Sequence, residues 1–291
     1  MIFSIKSSYL GTMDFKDYVR ALGDLILPRN CTVCGSPLAI GERQLCGDCL
    51  SDIPLTYHWA LPHNAMADRY NGLIQRDLDA AFVEGDGGGT AGSGTAGGGG
   101  KALPYQHAAA LFFYRSGSGY RNITRSLKYG GNIEMGRIAA RMLGERITGT
   151  REFGDVDAVV PVPLHWTRRL SRGYNQAEVI AEELASVLGV PCIAGLLERT
   201  RRTRTQTKLG IGAKGRNVEG AFRVNGKTAG RVACGRATGG ADIGSGRFRH
   251  ILVVDDVFTT GATVNECRRA LWRALGSGVR VSVATLGFVG E

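Results

Sequence analysis

The chain has 291 residues, which suits about two domains of ~150 residues each. Apolar residues make up 43% and charged residues 21%, which excludes wholesale disorder. A formal net charge of +10 and a pI of about 9.5 fit an anionic partner, phosphorylated small molecule or nucleic acid, or solubility alone.

The start, MIFSIKSSYLGTMDFKDYVR, has no basic block followed by an apolar block and cleavage site, so a cytoplasmic location is expected. No run reaches the ~18 apolar residues of a membrane-crossing helix. Phe15, Tyr18, Val19, Leu22, Leu25 and Ile26 recur at helical spacing, and Pro28 ends that helix. Then come Cys31, Cys34, Cys46 and Cys49 in the pattern C-x2-C-x11-C-x2-C. Each C-x2-C turn aims two thiolates at one point, and two such knuckles make the closed tetrahedral S4 set of a structural zinc. Gly35 and Gly47 ease the backbone where the knuckles turn. Two disulfides are the alternative, disfavoured in a reducing compartment.

Residues 1–64 are therefore assigned to an N-terminal helix and zinc-knuckle domain, 65–104 to a flexible linker and 105–291 to a second domain. The linker assignment rests on residues 85–100, which hold ten glycines in sixteen positions. A second glycine-rich stretch, Gly226 to Gly246, also reads as an inserted loop.

The second domain alternates strands and helices. Residues 108–114 read as a strand, and Ile123 to Leu143 as a helical pattern broken at Gly130-Gly131. Ala158 to Val162 read as a buried strand, followed by a helix carrying Ala177, Ile180, Ala181, Leu184 and Leu188. Ile193 to Leu197 are expected as the next strand and Ile251 to Val254 as a central parallel one. A helix with Val264, Cys267, Leu271, Ala274 and Leu275 and a last strand, Val279 to Phe288, follow. This order implies βαβ units, hence an α/β fold with a parallel sheet covered on both faces.

The most informative segment is ILVVDDVFTTGAT, from Ile251 to Thr263. Ligands of open α/β sheets bind at the carboxyl ends of strands, and N–H groups at the next helix N-terminus bind anions. Thr259, Thr260, Gly261, Ala262 and Thr263 are small enough to wrap a phosphate monoester. Asp255 and Asp256 suit hydroxyl groups of the same ligand, such as a ribose diol. The alternative is that the two acids cap the helix.

This segment closely resembles the phosphoribosyl diphosphate (PRPP) signature of type I phosphoribosyltransferases. The resemblance assigns Asp255 and Asp256 to the ribose hydroxyls and Thr259 to Thr263 to the 5′-phosphate. Three further motifs, VPVPLH at 160–165, RGYNQA at 172–177 and Gln206-x9-Arg216-Asn-Val-x-Gly-Ala-Phe222, are similar to those of the ComF family. That family joins an N-terminal zinc knuckle to a phosphoribosyltransferase-like domain and is associated with DNA uptake in natural competence. The resemblance implies a small zinc-ribbon-like domain before a type I phosphoribosyltransferase-like one, structural zinc, and Mg²⁺ bound with PRPP.

In the resembling fold His165, Arg168, Arg169 and Arg172 fall in the loop that receives pyrophosphate. Three arginines supply forked donors for a diphosphate; the alternative is a solvated helix face. Seven basic residues and no acid lie between Arg199 and Arg216. Among them Arg202, Arg204, Lys208, Lys214 and Arg216 fall where related enzymes carry a mobile loop that closes over substrate. A nucleic-acid patch and a solvated charged loop are the competing readings. Two functions are carried forward. One is phosphoribosyl transfer to an unassigned acceptor with release of pyrophosphate, with no residue assigned a catalytic role. The other is non-catalytic sensing of PRPP or binding of single-stranded DNA, with competence proteins as partners.

Overall fold

The structure, a computed structural model, describes residues 28–85, 104–200, 220–233 and 248–290. Three expectations lie outside these residues: the helix over 15–26, the glycine-rich run over 86–103, and Arg202, Arg204, Lys208, Lys214 and Arg216.

Strands β1 (Ala108–Phe113), β2 (Ala158–Pro161), β5 (His250–Phe258) and β6 (Arg280–Phe288) form one parallel sheet in the order β1-β6-β5-β2. Their near-continuous burial is why they read as apolar runs rather than alternating ones. Two short strands, β3 (Leu197–Arg199) and β4 (Phe222–Val224), pair antiparallel in a separate ribbon. The strand expected over Ile193 to Leu197 is thus corrected. A turn at Ala194-Gly195 breaks the run, and only Cys192 bridges to Val159 of the main sheet.

Helices cover both faces. On one lie α2 (Ala65–Gly85) and α8 (Ala262–Leu275), packed with Ile251, Val253, Val281 and Val283. On the other lie α3 (Arg121–Tyr129), α4 (Ile133–Ile147) and α6 (Gln176–Leu188), packed with Leu252, Val254, Ala284 and Leu286. Consecutive residues of β5 thereby serve opposite cores, as a two-residue period requires. Helices α1 (Gly47–Ser51), α5 (Trp166–Arg172) and α7 (Gly226–Ala233) are short, and a single 3₁₀ turn spans His58–Ala60.

Two loop assignments are corrected. Residues 65–85, placed in the linker, form α2, whose Met66, Tyr70, Ile74 and Leu78 recur every fourth residue and pack against the sheet. Asp77 then ties α2 to α8 by accepting from Asn265 Nδ2 at 3.0 Å and Arg269 Nε at 2.8 Å, and it also pairs with Arg268. Residues 226–233, placed in an inserted loop, form α7. The Asn225 carboxamide accepts from the N–H groups of Lys227 and Thr228 at 3.0 and 3.2 Å, a cap that offsets the weak helix propensity of Gly226 and Gly230.

The cysteine segment shares the core with the sheet. Cys31, Leu45, Ile53 and Trp59 are buried with Leu111, Phe112 and Leu143, and Leu55 bridges to Phe112. Tyr120 donates its hydroxyl to the Cys49 carbonyl at 3.0 Å, and Asn132 donates to Gln44 Oε1 at 2.7 Å. The close approach requires Gly119, where a Cβ would stand 2.6 Å from the Val33 carbonyl oxygen. Among the described residues, no helix is long and apolar enough to cross a membrane.

Candidate functional site

Strand β5 ends at Phe258, and Thr259, Thr260 and Gly261 lead into α8. Gly261 is the N-cap of α8, at φ 79° in the left-handed region. A Cβ there would lie 2.6 Å from Phe258 Cζ and 2.9 Å from Leu73 Cδ1, so glycine alone fits. Gly261 brings no side chain to cap the helix, so neither Asp255 nor Asp256 is its cap, and the capping alternative falls. The first N–H groups of a helix have no partner within it, which is what an anion site at its start uses. Ala262 N has one long contact, 3.5 Å to Thr260 Oγ1. Arg69, on α2, holds the loop from behind: its guanidinium donates to the carbonyls of Thr259 and Val289 at 2.8 and 3.0 Å.

The two acids lie within the strand, before its last residues. The ladder continues past them, with Asp255 opposite Thr285 and Phe258 opposite Phe288. Asp256 is only 8% exposed. Its Oδ2 lies 2.5 Å from Nζ of Lys128, at the end of α3. The half-buried Asp255 accepts from the Asp256 N–H at 2.9 Å. Burial and the neighbouring carboxylate of Asp256 push the Asp255 carboxyl up to about 7, against the pull of Lys128 and Arg199. Burial draws the Lys128 ammonium down, but Asp256 and Asp255 outweigh it and hold its pKa above the usual lysine value.

Beside Lys128 opens a cleft of about 510 Å³ lined by Lys128, Tyr129, Arg168, Ser171, Arg172 and Tyr174 among others. Arg172 donates to Gln176 Oε1 at 2.7 Å and lies 5.2 Å above the centre of the Tyr129 ring. The structure therefore brings Arg168 and Arg172 to the cleft. Arg169 pairs with Glu178 at 3.4 Å, and His165, 7% exposed, caps α5 by accepting from the Thr167 N–H.

Lys128 and Arg69 were missed in the sequence. A lysine in the last turn of a helix reads as a partner of the helix dipole, and nothing local to Leu127-Lys128-Tyr129 points to Asp256. Arg69 fell within the stretch read as linker, although the four-residue stripe beginning at Met66 was the signal for a helix there.

The four knuckle sulfurs lie within 4.8 Å of one another, with Cys34 and Cys46 Sγ 3.7 Å apart. That separation excludes a disulfide between those two and matches the edge of about 3.8 Å of a tetrahedron with Zn–S bonds of ~2.3 Å. The Cys46 N–H donates to Cys31 Sγ at 3.4 Å, as thiolate ligands are commonly supported. Hydrogen bonding with Ser36 lowers the Cys34 thiol to about 6. The donor set thus fits one zinc ion.

An α/β protein with a parallel sheet, a cysteine knuckle on its core and a polar site at the carboxyl edge is what the geometry defines. Comparison with known proteins places it more closely. The chain is 31% identical over 157 residues to Competence protein F of Haemophilus influenzae, covering 53% of this chain and 62% of that protein. It is 30% identical over 162 residues to DNA utilization protein YhgH of Salmonella typhi, covering 55% and 63%. The YhgH protein of Escherichia coli K12 matches over 261 residues at 26% identity, covering 88% of this chain and 96% of that one. The first two alignments thus span less than two thirds of those relatives. The chain is a homologue of these proteins, as its motif resemblance to the ComF family implied. No family model matches. A loose likeness in fold links it to adenine phosphoribosyl transferase of Trypanosoma brucei, solved with AMP, pyrophosphate and ribose-5-phosphate. The TM-score is 0.32 at 12% identity, covering 66% of this chain and 76% of that one.

Proposed function

We propose that this protein binds PRPP with Mg²⁺ at the carboxyl edge of its sheet and serves DNA uptake in competence. The observation that carries the reading is the meeting of three complementary parts. An uncapped helix N-terminus follows the loop Thr259 to Gly261, two carboxyls stand at the end of β5, and a cationic cleft adjoins them. These parts match a 5′-phosphate, a ribose diol and a diphosphate in turn. The relatives' names, Competence protein F and DNA utilization protein, support the cellular role.

Magnesium takes hard oxygen ligands; Asp255 and Asp256 would hold it together with the sugar's own oxygens, and it would supply charge neutralisation there. The chemistry of such a site is displacement at C1 of ribose. A nitrogen nucleophile forms the new bond as the C1–O bond breaks, and pyrophosphate leaves with the bonding pair. The protein's part is positioning and charge neutralisation, with Thr259 to Thr263 holding the phosphate and Arg168 and Arg172 meeting the departing charge. Calorimetry with PRPP and Mg²⁺, beside a pyrophosphate-release screen over candidate bases, tests it. Saturable binding with release supports transfer, binding without release a sensor, and no binding refutes the reading.

A second reading, binding of single-stranded DNA, is favoured by exposed aromatic rings among arginines. Tyr129 and Trp166 are 75% and 65% exposed and lie on or beside the segment bearing Arg168 and Arg172. Bases stack on such rings while cations meet phosphates. Its mark is affinity that falls with salt, with a log–log slope of roughly −0.7 per phosphate neutralised.

The knuckle is assigned one structural zinc, held by Cys31, Cys34, Cys46 and Cys49. Metal analysis is expected to give one zinc per chain, and well under one refutes it. Chelation is expected to loosen the segment and, because Cys31 and Leu45 share the core of the sheet, to lower the melting temperature of the whole unit.

A further inference from the structure

We infer that Lys128 is a ligand-binding residue that joins the two halves of the site, passing its ammonium from Asp256 to the diphosphate of the bound sugar. The inference rests on the PRPP reading above and adds to it a residue that neither the motifs nor the relatives' names assign.

The argument begins with position. Lys128 lies in the last turn of α3, nine residues that cover the same face of the sheet as Leu252 and Val254. Strand alternation sends Asp256 to that face, and the 2.5 Å contact between Lys128 Nζ and Asp256 Oδ2 is the result. The lysine side chain is nevertheless 28% exposed, and it lines the cleft with Arg168 and Arg172. Lys128 thus both pairs with the acid pair and lines that cleft.

The chemistry then follows from exchange of partners. Two adjacent carboxyls repel each other, and without ligand Lys128 supplies the countercharge to Asp256 while Arg199 adds its pull on Asp255. When a ribose diol arrives, its hydroxyls donate to the carboxyls and take over part of what the ammonium gave. An ammonium on a four-carbon stem reorients by bond rotation, which a rigid guanidinium fork does less readily. The cleft it turns toward already carries Arg168 and Arg172, and a diphosphate there brings negative charge that the lysine neutralises. Lys128 thereby performs part of the charge neutralisation that a divalent cation otherwise provides. A ligand with no diphosphate gives the ammonium no new partner.

The test compares two ligands, PRPP and ribose 5-phosphate, by calorimetry on the full chain over a range of Mg²⁺ concentrations. Lys128→Met is expected to weaken PRPP about 10- to 100-fold and ribose 5-phosphate no more than about threefold. The remaining PRPP binding is expected to depend more steeply on Mg²⁺. Lys128→Arg, which keeps the charge but turns less readily, is expected to restore part of the loss. Lys128→Met strands Asp256 and is itself at risk of misfolding. The double variant Lys128→Met/Asp256→Asn leaves no unpaired charge there and is compared with Asp256→Asn alone. The ratio of the two affinities is the readout, because a merely structural role shifts both ligands together. If the wild-type protein binds both ligands and the ratio is unchanged in Lys128→Met and in the double variant, the inference is overturned and the PRPP reading stands. If the wild-type protein binds neither, the PRPP reading fails and takes the inference with it.

Discussion

The two ends of strand β5 each hold a charged cluster, and they are built in opposite ways. At the amino end His250 is fully buried, with Nδ1 2.8 Å from Asp155 Oδ1 and Nε2 2.8 Å from Ser282 Oγ. Arg280 pairs with Asp155, and Asp157 accepts from the N–H groups of Arg249 and His250 at 2.7 and 3.2 Å. Serine, histidine and aspartate stand in a row here, as in a hydrolytic triad. Ser282 is 0% exposed, however, so no substrate meets its hydroxyl. The groups of the cluster pair with one another and fasten β5, β6 and the turn before β2. At the carboxyl end the groups do not close: a carboxyl is pushed up to about 7, the next helix has no side-chain cap, and cations line a cleft. A closed cluster holds a fold together, whereas an open one is costly until a ligand completes it.

Breaking the closed end is expected to give the largest loss of stability. His250→Leu removes two hydrogen bonds in a fully buried setting and leaves Ser282 without its ring partner. A cost of about 2–4 kcal/mol is expected, seen as a melting temperature roughly 5–12 °C lower. PRPP affinity is expected to stay within about twofold of wild type. A fall of tenfold or more would show that the two ends are coupled.

Asp256→Asn is next. It takes the carboxylate from the partly buried Lys128, so a loss of ~1–3 kcal/mol in stability accompanies a 10- to 100-fold loss in PRPP affinity. Thermal melts and calorimetry on the same preparation check both. A variant as stable as wild type would show that Lys128 finds another partner.

Asp255→Asn is expected to have the reverse effect on stability. The folded carboxyl titrates near 7 against 3.8 for the ordinary group, so the folded chain holds a proton that the unfolded chain has lost. Stability due to this group is complete below about pH 4 and declines as pH rises to about 7. The variant is therefore expected to melt a few degrees higher than wild type at pH 8 and with no gain at pH 4, while binding PRPP about tenfold more weakly. His250 gives the opposite slope. Burial and Arg280 hold it down near 4 from 6.5, so its stabilisation is complete above about pH 6.5 and declines as pH falls toward 4. In His250→Leu the deficit against wild type is accordingly expected to shrink on acidification. Equal gains for Asp255→Asn at both pH values would remove the open end's strain from the comparison.

Arg69→Ala is the mildest. It frees the carbonyls of Thr259 and Val289, each bond being worth ~0.5–1.5 kcal/mol. Ribose 5-phosphate is expected to bind three- to tenfold more weakly, with the melting point about 2–4 °C lower. Unchanged binding would show that the loop keeps its shape without support from α2.

The sequence by itself determined the parts whose chemistry is local. Four cysteines at two-residue spacings converge because each knuckle is a single tight turn. The run Ile251 to Val254 is buried because no polar residue interrupts it. The loop Thr259 to Thr263 lies at a helix start because a glycine stands where only glycine fits. Even α2 was legible in the stripe Met66, Tyr70, Ile74 and Leu78, although the glycines after it drew the whole stretch into a linker. The tertiary structure alone decided what depends on partners far along the chain. Lys128 meets Asp256 only because α3 packs on the sheet face that Asp256 shares, and Arg69 reaches Thr259 only because α2 packs against the sheet beside α8. Asp255 and Asp256 are neighbours with the same side chain, yet one is paired and the other raised in pKa. Strand alternation turns them to opposite faces, and the charge waiting on each face is set by packing that no short stretch of sequence contains.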